Sequence, residues 1–95
     1  MIIKAALLKI QNETVALVIT PTDFVTNHTT GNNIINVLQR LTFQGKQVVL
    51  VSSLTGRDSV YYGRQDLMDY FNRENIQIDD IWNSFKDYTV NIPGM

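Results

Sequence analysis

Arginine, tyrosine and glycine crowd into one stretch of this 95-residue chain, TGRDSVYYGR at residues 55 to 64. Arg57 and Arg64 are fork-shaped donors suited to phosphate or carboxylate oxygens, and Tyr61 and Tyr62 add hydroxyls and ring faces. The first N–H groups of a helix starting after Gly63 would strengthen an anion site there. Spacing limits that chemistry. If residues 58 to 63 are extended, a rise of about 3.3 Å per residue sets the two arginine backbones roughly 20 Å apart. Two side chains so far apart do not converge on one small anion. A two-armed clamp therefore requires a loop, and an extended segment leaves only Tyr62, Arg64 and the helix start. The plainer role is a hairpin turn at Gly56, a strand, and a strand-to-helix corner at Gly63, with both arginines in solvent.

The other reactive residue types are sparser. His28, the only histidine, stands in a polar loop beside Asp23, Asn27 and Thr29. It would act as a general base if Asp23 oriented it, but a lone histidine in such a loop reads first as an exposed side chain. Ser52 and Ser53 have no GxSxG context. A phosphate loop of the form GxxxxGK fails because Arg40 stands where the first glycine is required. Asp66 and Asp69 are three apart, and Asp79 and Asp80 follow; clustered carboxylates are Mg²⁺ or Ca²⁺ chemistry. No EF-hand spacing is present, and Asp66 already suits a helix start, so a solvated acidic face is the expectation. With no cysteine in the chain, disulfides, thiolate ligands and cysteine nucleophiles are excluded. No catalytic constellation, cofactor or metal is expected.

Net charge is −1 but uneven. Residues 1 to 50 carry four basic against two acidic groups, and residues 51 to 95 four against seven. Nucleic-acid binders usually show a basic face; none is evident, and the acidic last third argues against one. Aromatics concentrate late: Tyr61, Tyr62, Tyr70, Phe71, Trp82, Phe85 and Tyr88. Alternation puts Tyr61 and Tyr62 on opposite faces of their strand. One of them, and Tyr70, are interface candidates, while Phe71, Trp82 and Phe85 are expected in the core. The apolar run at the N-terminus is too short for a membrane span and lacks a cleavage site, so a soluble, cytoplasmic protein is expected. The triplets at Asn12 and Asn27 would matter only under secretion.

These residues must be positioned by a small set of elements. IIKAALLKI at 2 to 10 and TVALVIT at 14 to 20, joined by Gln11-Asn12-Glu13, read as a hairpin. Pro21 ends it. Ile34, Ile35, Val37, Leu38 and Leu41 fall on one helical face, with Thr29 or Thr30 as N-cap and Gly45 as C-cap. QVVLVSS at 47 to 53 has apolar residues on both faces and so reads as a central strand. SVYYG at 59 to 63 is its returning partner. Leu67, Met68 and Phe71 form the stripe of a second helix, with Gly63 as N-cap and Asp66 at N3. A helical turn near 79 to 84 and a strand at 86 to 92 follow. The order ββα-ββα-β predicts one α+β domain over residues 1 to 95: a mainly antiparallel sheet with two helices packed on it as a two-layer sandwich. If 59 to 63 were a loop, a parallel α/β arrangement would compete.

Of three function classes, a non-enzymatic protein-interaction or regulatory module fits best, through a protein partner or self-association at a sheet edge. A small-anion or nucleotide sensor at the Gly63-Arg64 helix start is second. An enzyme using His28 or the aspartates is last. Tyr61, Tyr62, Arg64, Tyr70 and Arg57 are the candidate ligand or interface residues.

Overall fold

The computed structural model describes residues 2–53, 59–74, 76 and 78–90. Five strands form one sheet: β1 (Ile2–Ile10), β2 (Glu13–Ile19), β3 (Gln47–Ser53), β4 (Ser59–Tyr62) and β5 (Phe85–Thr89). The helices are α1 (Thr22–Thr26), α2 (His28–Leu41) and α3 (Gln65–Arg73), and a 3₁₀ helix spans Ile78–Ser84. Spatial order is β4-β3-β2-β1-β5. Three neighbouring pairs are antiparallel, and only β2 with β3 is parallel. The α+β class holds, and the expected order ββα-ββα-β is met apart from the short helix α1 that precedes α2. The returning strand β4 and a parallel pair coexist, because the chain crosses over through α1 and α2 between β2 and β3.

The hairpin register follows from its turn. Gln11 and Asn12 both take positive φ, 51° and 69°, the left-handed pair that a two-residue hairpin turn demands. Ile10 then faces Glu13, and Leu7 faces Ala16.

The helical layer is the main correction. Alternate residues of β2 go to opposite cores. Ala16 and Val18 pack with Ile34 and Leu38 of α2, while Val15 and Leu17 pack with Leu67 and Phe71 of α3. The helices therefore cover both faces, giving three layers where two were expected. The cause is visible in β2 and β3, whose runs are apolar at every position from Val15 to Val18 and Val48 to Val51, all buried. Strands of that kind need cover on both sides.

Several boundaries shift for physical reasons. Helix α2 starts at His28, because the Asn27 side chain accepts a hydrogen bond from Thr30 N at 3.2 Å and so caps it in place of Thr29 or Thr30. Its C-cap is Thr42; Gly45 lies further on, at φ 76°, in the turn to β3. The N-cap of α3 is Arg64, one residue after Gly63. Gly63 serves close approach instead: a Cβ there would stand 3.2 Å from Val48 O and 3.3 Å from Val49 Cα. Gly31 is tighter, with a Cβ only 2.5 Å from Phe24 O and 2.9 Å from the Tyr62 ring. It lets α1 and the end of β4 close on α2. The Gly56 turn lies outside the described residues.

Candidate functional site

The corner after β4 holds most of the residues singled out by type. Tyr61 and Tyr62 point to opposite faces, as alternation requires. Tyr61 is buried, stacked on Phe71 at 4.8 Å between centroids, and its hydroxyl donates to Ile76 O. Tyr62 stacks on His28 at 4.5 Å and donates to Asn32 Oδ1 at 2.9 Å. His28 is thus a helix-start residue under a tyrosine ring. Tyr70 is half-buried, edge-on to Phe71, with the Arg73 guanidinium 5.8 Å from its ring centre. These side chains are fold contacts and do not line one pocket. Arg57 lies outside the described residues.

Arg64 is engaged twice. Its Nε and Nη2 donate to the two Asp66 oxygens at 2.6 and 3.0 Å. Its Nη1 donates to Glu13 Oε1 at 3.1 Å, and Nη2 also donates to Glu13 Oε2. Glu13 is there because the tight hairpin turn delivers it to the first position of β2. Hydrogen bonds from Arg64 hold the Glu13 and Asp66 carboxyls below the usual range, and the two carboxylates raise the guanidinium in return. Four of the five donor directions of the fork are taken by two negative charges. Asp69 accepts from Gln65 at 2.9 Å. Among the described residues, no three metal-ligating side chains converge.

A different surface is left open. Beyond β2, α1 and α2 lie toward β3 and β4, so their cover of β1 and β5 is incomplete. On the α2 face of β1, Ile3 and Ala5 are buried, but Leu7 is 44% exposed and Lys9 is exposed. Beside Leu7, the last residue of the 3₁₀ helix is only a serine. Leu7, Ser84, Lys86 and Tyr88 therefore line an open hollow of about 260 Å³. That is below the ~300–1,000 Å³ of small-molecule sites. Tyr88 is edge-on to Phe43 at 5.2 Å, which fixes one wall. The register pairs Lys86 with Ala5 and Tyr88 with Ile3, so both stand on this face. Among the described residues, neither Lys9 nor Lys86 meets a carboxylate, whereas Lys4 on the opposite face pairs with Asp87 at 2.8 Å. Among the described residues, β5 is an outer strand with one free edge.

Trp82 corrects another expectation. It is 49% exposed, near Phe85 and with Lys4 Nζ 5.8 Å from its ring centre. The spacing of Ile78, Ile81, Trp82 and Phe85 fits an α-helix, but the segment is 3₁₀ and kinked at Ile81. Ile78 and Ile81 both pack into the α3-side core, and Trp82, just after the break in helical geometry at Ile81, is turned out. Leu7 and Lys86 had no distinguishing signal in the sequence, and Tyr88 stood out only as one of the late aromatics; Leu7 alternates like its buried neighbours Ile3 and Ala5.

The chain matches no known family model, curated protein or solved structure. Among the described residues no helix is long and apolar enough to cross a membrane.

Proposed function

We propose that this chain is a non-enzymatic protein-interaction module whose partner seats on the hollow around Leu7 and Tyr88, beside the free edge of β5. The observation that carries this reading is Leu7. It sits in the middle of an interior strand and is 44% exposed, while Ala16, its partner across the β1–β2 ladder on the same face, is fully buried. An interior-strand leucine left in water forgoes part of the ~1.5–3 kcal/mol that burial of such a side chain contributes. A partner's apolar side chain in the hollow would recover it. The flanking lysines supply charge, and the outer strand supplies backbone groups that no other strand pairs among the described residues.

The alternative, a small-anion or nucleotide sensor at the Gly63-Arg64 helix start, has weaker support. A phosphate arriving there must displace Glu13 or Asp66 from Arg64.

The test uses the tagged chain as bait in a cell extract, alongside Leu7→Glu and Arg64→Gln variants shown by circular dichroism to be folded. A protein retained by the wild type and by Arg64→Gln, but lost from Leu7→Glu, is the expected result. Retention of nothing, or loss from Arg64→Gln alone, would overturn the reading. A melting point raised by nucleotide or phosphate, and no longer raised in Arg64→Gln, would restore the sensor.

A further inference from the structure

We infer that the occupant is an extended acidic segment of a different protein, which adds to the sheet as a sixth strand beside β5 and carries the pattern Φ-x-[D/E]-x-Φ, where Φ is a large apolar residue. The inference rests on the interaction reading above and names the chemistry of the partner.

An added strand pairs its backbone with the outer N–H and C=O groups of β5, which have no strand partner among the described residues, and alternate side chains carry the specificity. Residues facing each other across a ladder share a face of the sheet. On the α2 face β5 and its lead-in present three positions in a row, Ser84, Lys86 and Tyr88. Past the end of the ladder, where Ser84 closes the 3₁₀ helix and lines the same hollow, a large side chain passes over the small serine and reaches Leu7. Opposite Lys86, a carboxylate meets a cation that has no partner among the described residues. Opposite Tyr88, an apolar side chain lies on a ring already braced by Phe43. The acid is the middle position, so the pattern reads the same in either strand direction. Lys9, two residues beyond Leu7 on the same face, adds a second positive charge at the apolar end.

The fold argues against a second copy as the occupant. A two-fold axis that joins β5 to its own copy stands perpendicular to the sheet and keeps every residue on its own face. Lys86 would then oppose only Ser84, Lys86 or Tyr88 of the copy. Asp87 is on the other face and is held by Lys4. Packing two hollows face to face would set Lys9 and Lys86 against like charge. A nucleic acid fits poorly too, because a strand edge offers alternating donors and acceptors, and phosphates use only donors.

The probe is the fluorescein-labelled peptide acetyl-STVTETFTS-amide, with binding followed by anisotropy against the full chain. Saturable binding is expected. Glutamine in place of the glutamate should weaken it by about fivefold, the upper worth of an exposed ion pair. The Lys86→Glu variant should invert the preference, binding the lysine-for-glutamate peptide better than the parent. Equal binding of the glutamate and glutamine peptides would overturn the inference. So would displacement of the peptide by an oligothymidylate, or a wild-type dimer in light scattering that Lys86→Glu abolishes. If no peptide binds while the wild-type chain still retains a Leu7-dependent protein from extract, this inference fails and the interaction reading stands. If that retention is absent as well, both fail.

Discussion

Two cationic corners of the sheet differ in what the fold has left them to do. At the β4–α3 corner Arg64 stands between Glu13 and Asp66, and the tyrosines beside it are stacked on Phe71 and His28. At the β1–β5 side Lys86 and Lys9 face solvent with no carboxylate among the described residues, around a leucine that the helices do not reach. Residue types alone favour the first corner as a binding site. Partner accounting favours the second, because a donor already held by two carboxylates has little left to offer a ligand.

The sharpest way to break this contrast is to compare side-chain truncations on the two sides. Phe71 is fully buried under Tyr61, so Phe71→Ala should cost about 3–5 kcal/mol in urea unfolding, the transfer loss plus the cavity left behind. Leu7→Ala should fall well below the ~2–5 kcal/mol of a core leucine, since nearly half of that side chain is already in water. Equal losses at the two positions would mean that Leu7 is a core residue and the hollow is not open.

A finer comparison uses one hydroxyl on each face of β4. Tyr61→Phe removes a donor from Ile76 O inside the α3 layer and should cost roughly 0.5–1.5 kcal/mol. Tyr62→Phe removes only the exposed bond to Asn32 and should stay within about 0.5 kcal/mol. Thermal melts of the two variants measure the difference. A larger loss at Tyr62 would reverse the assignment of which tyrosine is structural.

How much of this was legible follows from where each signal is stored. The opposite orientation of Tyr61 and Tyr62 is a local property of an extended chain, and so is the buried stripe of Leu67 and Phe71 on α3. The three-layer arrangement was half-written, in the unbroken apolar runs of β2 and β3, but which helix takes which face depends on the crossover between them. Glu13 could not be paired with Arg64 from sequence, because 51 residues separate them and only the strand order brings them together. Leu7 was the least legible. Its exposure is decided by where α2 lies and by the small size of Ser84, neither of which is written in β1. Trp82 misled because an α-helical spacing was laid over a 3₁₀ turn.

The smallest expected effect separates the two cations directly, through acid. Glu13 and Asp66 both have carboxyl pKa values lowered in the folded chain by hydrogen bonds from Arg64. A lowered folded pKa means that the unfolded chain binds protons first, so the pair stabilises the fold above the ordinary carboxyl pKa of about 4. That contribution is lost as pH falls from there through the lowered values. Arg64→Gln should therefore lower the melting temperature slightly at pH 7, and the gap to wild type should close as the buffer is taken below about pH 4. Lys86→Gln should give no such gap at either pH, because no carboxylate faces that lysine among the described residues. A pH-dependent gap at Lys86 would place a carboxylate beside it within the chain itself, and the acidic segment assigned to a partner would then have an internal rival.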